Sequence, residues 1–383
     1  MSNAADVLIV GAGGAGSSAA LHLAQRGARV ILLERGLIGG QATGVNFGGV
    51  RQQGRDPAEL PIARRSREIW ARLPAILGTD CEFEVTGHLK LARNESEEAE
   101  LIAYLDVARN HGIALRLIGR NALHEDYPWL GPTVVAGSYC AEDGAANPRL
   151  LAPALARAAR RAGAEIHERC EVTGFAHDGA GFAVAADGLR FTAPVLLNTA
   201  GFWGGGVAAA FGETVPVSPL SPNMLVTEPV RWFIEPNLGV VGGNVYLRQI
   251  RRGNVIFGGG HGENDPSVPC SRPLPDVGAA AMRRALELIP ALAGVQVIRS
   301  WSGIDGQMPD GLPVIGPSRT TQGLIHAFAF SGHGFMLGPA IGAILAELVL
   351  DGKTDVPLEP FRIDRFAGGD SSVVRAEPQQ QHS

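Results

Sequence analysis

Apolar residues come in short blocks near the start of the chain. Asp6 is followed by Val7-Leu-Ile-Val10. A glycine-rich turn, Gly11-Ala-Gly13-Gly-Ala-Gly16, leads into a helical run that ends near Gly27. Ala28-Arg-Val-Ile-Leu-Leu33 and the acid Glu34 follow. Continuous apolar blocks bounded by glycine read as buried strands, so this pattern predicts strand, tight turn, helix and strand. Helical spacing recurs at Pro61–Leu77 (Ile62, Ile69, Leu73, Ile76, Leu77) and at Glu95–His111. Phe83–Ala92 alternates as a strand does, and Leu123–Gly137 reads as irregular. Asn147 and Pro148 predict a helix start, as N-cap and first helical residue, with the helix running to about Ala162 and ending at Gly163. Glu165–Phe175 reads as one strand, Phe182–Ala186 with Arg190–Thr192 as a hairpin, and Val195–Thr199 as a buried strand.

From about Pro216 the pattern changes. Met224–Thr227, Val245–Arg248 and Asn254–Phe257 read as antiparallel strands, and Asp276–Leu288 as a helix. Gly311–Leu350 returns to strand, glycine turn and apolar helix. The fold class predicted is α/β. A discontinuous Rossmann-like nucleotide-binding domain (1–78, 136–215 and 301–366) is joined by a second domain of antiparallel sheet and helices (79–135 and 216–300). The polar tail 367–383 is expected to fray.

The opening unit carries specific chemistry. Gly11 allows the tight turn, Gly13 lets a pyrophosphate approach the backbone, and Gly16 lets helix and strand pack closely. The helix N-terminus offers N–H groups and a positive dipole end to phosphates. Glu34 can accept from a ribose 2′-hydroxyl and repels a 2′-phosphate, which disfavours an NADP-type ligand.

Composition narrows the reading. The 383 residues are 45% hydrophobic and 19% charged, an ordinary globular balance with two or three domains' worth of core. A net charge of −5 without a basic run argues against nucleic acid. Cys81, Cys140, Cys170 and Cys270 form no CxxC pair, so a metal site is not expected and reduced thiols in a cytoplasmic protein are. The first apolar run is cut by the glycine turn and is not a secretory signal. Gly323–Leu350 holds His326, His333, Pro339 and Glu347, which makes a membrane span unfavourable.

Several further motifs occur in order: Gly48-Gly-Val-Arg-Gln-Gln53, Thr86-Gly-His-Leu89, Asp143-Gly-Ala-Ala-Asn-Pro148, Asn198-Thr-Ala-Gly-Phe-Trp203, Tyr246-Leu-Arg248, Trp301-Ser-Gly303, Pro309-Asp-Gly-Leu-Pro-Val-Ile-Gly316 and Ser331-Gly-His-Gly-Phe335. With the opening fingerprint, they make the chain resemble the D-amino-acid-oxidase-like flavoproteins from Val7 to about Phe366. The nearest branch is that of sarcosine oxidase β subunits, glycine oxidase, proline dehydrogenase and opine or iminodiacetate oxidases. No second dinucleotide fold is visible, since Gly258–Gly262 runs into Glu-Asn-Asp-Pro and not into an apolar helix. That favours FAD over a pyridine-nucleotide reductase.

The resemblance implies FAD contacts from Gly11, Ala12, Gly13, Ala15, Gly16, Glu34 and Arg35, and from Gln41, Ala42, Thr43, Gly48, Gly49 and Val50 along the glycine loop. It also implies contacts from Val172, Ala200, Gly201, Trp203, Gly303, Gly332, His333, Gly334, Phe335 and Met336. Amides of the Gly332-His-Gly turn would face the flavin's pyrimidine oxygens. Arg51 and Arg248 are candidate anchors for a substrate carboxylate, because a guanidinium presents paired donors. Tyr246, Trp301 and His261 are candidate pocket walls, and His333 a candidate catalytic group. Where glycine oxidase is expected to carry a carboxylate-binding arginine, this chain has Asp305, which disfavours glycine and D-amino acids. The strand Val255–Phe257 lacks the lysine of monomeric sarcosine oxidases, and no cysteine falls where the flavin would be tethered, so FAD is expected to be non-covalent.

The activity implied is hydride transfer from a small amino or imino acid to flavin, such as iminodiacetate, sarcosine or proline, then imine hydrolysis. Oxygen, giving hydrogen peroxide, or a protein acceptor would take the electrons, the chain acting as a homo-oligomer or within a hetero-oligomer.

Overall fold

A computed structural model describes residues 3–265 and 270–366. The expected fraying of the tail 367–383 lies outside these residues. Two sheets organise the molecule. One has six strands, in spatial order Val314–Pro317, Leu324–Phe328, Val195–Asn198, Val7–Val10, Val30–Leu33 and Glu165–His167. All are parallel except Val314–Pro317. The other has eight: Val297–Trp301, Pro222–Pro229, Asn254–His261, Tyr246–Gln249, Asn237–Val240, His88–Ala92, Ala136–Cys140 and Arg116–Gly119. It is antiparallel apart from the pair Asn237–Val240 and His88–Ala92. This is the mixed α/β class anticipated above.

The opening unit forms as its pattern requires. Val7–Val10 is buried in the centre of the parallel sheet, and Gly14–Gln25 is the helix that follows. The last helix, Gly334–Leu350, lies across that first helix through small residues. A methyl group added at Gly338 would lie 3.1 Å from the Gly14 carbonyl carbon, and one at Gly342 only 2.3 Å from Ser18 Cβ. The Ser18 hydroxyl donates to the Pro339 carbonyl at 2.9 Å. This contact brings residues more than three hundred positions apart to the same end of the sheet.

Several elements differ from the periodic reading. Pro61–Leu77 is two helices, Leu60–Ala71 and Leu73–Leu77, because Pro74 cannot donate into a continuous ladder and suits the first turn of a new helix. Glu165–Phe175 divides into Glu165–His167 in the parallel sheet and Val172–His177 in a three-stranded sheet, the chain turning at Arg169 with φ of +56°. Residues 123–137 are more regular than expected: Arg120–Asp126 is a helix, and Ala136–Cys140 pairs with two strands of the eight-stranded sheet, although it falls in the 136–215 segment. The helix at Pro148–Arg161 begins as anticipated, with the Asn147 side chain accepting from the Arg149 amide at 3.1 Å. No helix of the described residues is long and apolar enough to cross a membrane.

Candidate active site

A cavity of about 1570 Å³ runs from the first glycine turn to the underside of the eight-stranded sheet. That exceeds the roughly 300–1,000 Å³ of an ordinary small-molecule pocket. At one end Gly11 has φ of +100°, and a methyl group there would sit 2.5 Å from the Thr199 carbonyl oxygen. At Gly16 it would sit 2.0 Å from the Gly11 oxygen. The N-cap residue Gly13 has no side chain to bond the helix amides, no acid occupies the first turn, and only the neutral Thr43 hydroxyl meets an end amide, that of Gly14, so the positive end of the helix is left to the cavity.

Glu34 is held by two amides, Ala12 to Oε2 at 2.8 Å and Gly36 to Oε1 at 2.8 Å. Each carboxyl oxygen keeps a further lone pair, and Glu34 lines the cavity. The Arg35 guanidinium lies 4.0 Å from the centre of the Trp203 ring, and Val172, Ala200 and Gly201 complete this end.

The glycine loop is pinned, not floppy. Ala42–Val45 is a helical turn, and the Thr43 hydroxyl accepts from the Gly14 amide at 3.0 Å. Trp301 Nε1 donates to the Val45 carbonyl at 2.7 Å. Arg248 donates from Nε to the Phe47 carbonyl at 2.9 Å and from Nη2 to the Ala146 carbonyl at 3.1 Å. Burial pushes its guanidinium down to about 10. Arg248 and Trp301 therefore stand behind the loop: neither lines the cavity, whereas Gln41, Ala42, Thr43, Gly49 and Arg51 do. Ala12, Gly16, Gly48 and Val50 also shape the wall from behind.

The far wall is the turn before the last helix, Gly332 to Met336, with Gly303 beside it. Asp305 Oδ2 accepts from the Gly332 amide at 2.8 Å, and burial raises this carboxyl to about 6. The acid at the position where an arginine would fall thus holds the turn. His333 Nδ1 lies 2.7 Å from Glu59 Oε2, and Arg55 Nη1 lies 3.6 Å from the same oxygen. Burial alone would raise Glu59, but His333, Arg55 and Arg51 outweigh it and hold the carboxyl below its ordinary range. Burial keeps His333 below its ordinary value, hence neutral near pH 7. Phe335 packs on Trp70 at 5.2 Å between ring centres, and Trp70 Nε1 donates to the Met336 carbonyl at 2.9 Å.

The eight-stranded sheet forms a roof. Leu89, Leu225, Leu247 and Phe257 point into its own core. By strand alternation His88, Lys90, Met224 and Tyr246 fall on the opposite face, and all four line the cavity. The Tyr246 hydroxyl donates to Met224 Sδ at 3.3 Å, and burial pushes its phenol above the ordinary value. Arg51 reaches in from below, one Nη1 hydrogen bond tying it to the Gln53 carbonyl at 2.7 Å. Of the residues chosen from sequence, Arg51, Tyr246, His261 and His333 therefore share one chamber, and Arg248 does not. The sequence motifs include His88 without a role, and Lys90 and Glu59 stand outside them. Lys90 and His88 were visible as the polar positions alternating with Leu89 and Leu91; Glu59 carries no local signal.

These residues fit an FAD. The methyl-excluding glycines leave room only for closely approaching backbone, the uncapped helix end suits a pyrophosphate, and the volume admits a dinucleotide with space beneath the roof. Such a cradle, continuous with a cation-bearing chamber, defines a flavin-dependent oxidoreductase. The chain belongs to the FAD dependent oxidoreductase family, whose model matches residues 6–348, and is an FAD-dependent amino acid oxidase or dehydrogenase. It is 27% identical to a glycine oxidase of Geobacillus kaustophilus, covering 96% of this chain and 99% of the relative. It is 28% identical to the beta chain of sarcosine oxidase from Rhizobium meliloti, covering 95% and 89%. The structure is similar to that of L-proline dehydrogenase from P. horikoshii, with a TM-score of 0.89, 28% identity and coverage of 96% and 99%.

Proposed function

We propose that the chain oxidises the C–N bond of a small amino or imino acid, a secondary amine such as iminodiacetate, sarcosine or proline, and that oxygen takes the electrons as hydrogen peroxide. The observation that carries this reading is the Arg51 guanidinium at the junction between the dinucleotide cradle and the chamber under the roof. FAD, when bound, supplies the two-electron acceptor that converts the amine to an imine, which water hydrolyses.

The residues supply placement. Arg51 keeps donors beyond its Gln53 contact for the substrate carboxylate, and a guanidinium presents them in pairs. Tyr246 and Met224 form the ceiling against which the substrate's carbon skeleton is pressed. The far-wall turn is held by its own amides, Gly332 donating to Asp305 and His333 to the Phe330 carbonyl, so the positive end of the last helix beginning at Gly334 would lie against the flavin end of FAD. We place FAD contacts at Gly13, Ala15, Glu34, Arg35, Thr43, Val172, Ala200 and Gly201, with the turn from Gly332 to Met336 at the flavin end. The binding is non-covalent. Cys170 lines the cavity only beside Glu171 and Val172, at the nucleotide end, and Cys270 is exposed. Flavin released to the supernatant on acid precipitation is the expected outcome.

The deciding experiment is anaerobic flavin bleaching with glycine, sarcosine, iminodiacetate, L-proline and D-amino acids. Bleaching by a secondary amine supports the reading; if none of the panel reduces the flavin, the reading fails. Arg51→Lys should raise KM about tenfold or more at similar flavin content, since a bidentate contact is lost.

A second reading rests on the surface. Val297 and Ile298 are 40% and 60% exposed on the terminal strand of the roof sheet. An apolar open edge suits pairing with another chain, so the protein would act as the catalytic component of a hetero-oligomeric dehydrogenase. A purified chain that bleaches with substrate but consumes no oxygen would favour this over the oxidase.

A further inference from the structure

The chamber under the roof holds a second cation besides Arg51. Lys90 sits on the strand His88–Ala92, on the face opposite Leu89 and Leu91, and opposite Gly239 in the neighbouring strand. A methyl group added at Gly239 would meet the neighbouring His88 ring at 3.2 Å and not Lys90. Gly54 marks how close the two cations come. A methyl group placed there would lie 3.1 Å from Lys90 Nζ and 3.6 Å from Arg51 Nη1, so the two nitrogens can be no further apart than those distances combined. Both residues line the cavity.

Among the described residues Lys90 has no ion pair. Glu97, the acid nearby on the helix Glu95–Asn110, is taken by Arg93 at 2.6 Å. Glu100 favours the charged form of Lys90 without pairing with it, while burial and Arg51 work against that charge. His88, beside them, accepts at Nδ1 from Gln53 Nε2 at 2.8 Å, and burial with the Arg51 and Lys90 charges keeps it well below its ordinary value, so it is neutral. The chamber thus offers two adjacent, partly buried positive charges; the buried carboxylates Glu59 and Asp143 act on Arg51, and neither forms an ion pair with Lys90.

We propose that Lys90 and Arg51 form a paired anion site and that the substrate is a small amine carrying two carboxylates. A monocarboxylate would satisfy Arg51 and leave Lys90 half-buried and unpaired, an uncompensated desolvation that disfavours the complex. A second carboxylate held a few ångströms from the first cancels that penalty. The inference rests on the reading that the chamber binds a carboxylated amine, and it adds the substrate class and the residue that selects it.

The test uses the flavin-loaded protein and its Lys90→Met and Lys90→Arg variants. The kcat/KM ratio of iminodiacetate to sarcosine should exceed one in the parent, fall at least about tenfold in Lys90→Met and recover in Lys90→Arg. Calorimetry with the non-oxidisable pair thiodiacetate and methylthioacetate gives a readout free of turnover. Thiodiacetate should bind the parent more tightly, and the advantage should vanish in Lys90→Met. Equal or weaker binding of thiodiacetate by the parent, or a ratio unmoved in Lys90→Met, overturns the proposal even when sarcosine still bleaches the flavin. If no amine in the panel bleaches it, the underlying amine-oxidation reading is what has failed, and thiodiacetate binding alone then decides whether the paired anion site exists.

Discussion

The end of the cavity near Glu34 is built mostly by one local unit, Val7 to Arg35, whose turn, helix and acid lie in consecutive chain. The chamber beneath the roof is assembled from Arg51, Lys90, Met224, Tyr246 and Asp305, drawn from five separate stretches. The first end uses backbone, because glycine turns and helix dipoles recognise phosphate without particular side chains. The second uses side chains, and the ones that matter are decided by which face of which strand meets the flavin loop. A site made of backbone is robust to surrounding change and intolerant of a single Cβ; a site made of side chains is the reverse.

Substitutions at the two ends should separate these behaviours. Gly16→Ala should have the largest effect. Its Cβ would lie 2.0 Å from the Gly11 oxygen and 2.5 Å from Thr199 Oγ1, so the strand–helix crossing must open. We expect a cost of about 3 kcal/mol or more and loss of FAD, seen as a lower Tm and a colourless protein. A yellow Gly16→Ala protein would break the comparison.

Next is Arg248→Met. It removes charged donors from the Phe47 and Ala146 carbonyls, at about 1.5–3 kcal/mol per such loss. FAD Kd should rise by about tenfold or more, with little change in substrate KM once the protein is saturated with flavin. A raised KM at full flavin content would instead return Arg248 to the chamber. Trp301→Phe should act alike but more weakly, about 1 kcal/mol for the neutral bond to Val45, read as a modest Tm decrease.

Asp305 gives a pH signature. Its folded carboxyl is raised to about 6, above the ordinary value of 3.8, so between those limits the folded state binds the proton more tightly than the unfolded chain. Stability from this group therefore falls as pH rises from about 4 to about 6, and Asp305→Asn should flatten that part of the Tm–pH curve. The smallest effect is expected at Gly119→Ala, where nothing lies within 4 Å of the added methyl. A shift within about 0.5 kcal/mol is the control for the glycine argument.

Legibility followed the same division. The strand–turn–helix–strand unit, the Asn147 cap and the antiparallel region were readable because period, glycine and capping chemistry act within a few residues. The split at Pro74 was readable in principle, since the proline was in view; the turn at Arg169, a non-glycine residue at positive φ, was not. Arg248 reads as a candidate anchor because a guanidinium presents paired donors to a carboxylate and it sits beside Tyr246 on an antiparallel strand. The register of that strand sends it instead to the Phe47 carbonyl of the glycine loop and to the Ala146 carbonyl of the segment before the Pro148 helix. Asp305 was noticed only as a missing arginine, and its task, holding the Gly332 amide, depends on a contact between distant turns.

The sequence by itself determined the nucleotide cradle, the family and the two-sheet class, because those depend on local backbone geometry and on motifs in order. Only the tertiary structure decided which cations face the chamber. Lys90 stands beside Arg51 because Gly54 leaves the space between them open, and because Leu89 and Leu91 commit the opposite face of their strand to the core. Strand alternation makes that choice all at once, and no stretch of chain short enough to read locally contains both partners.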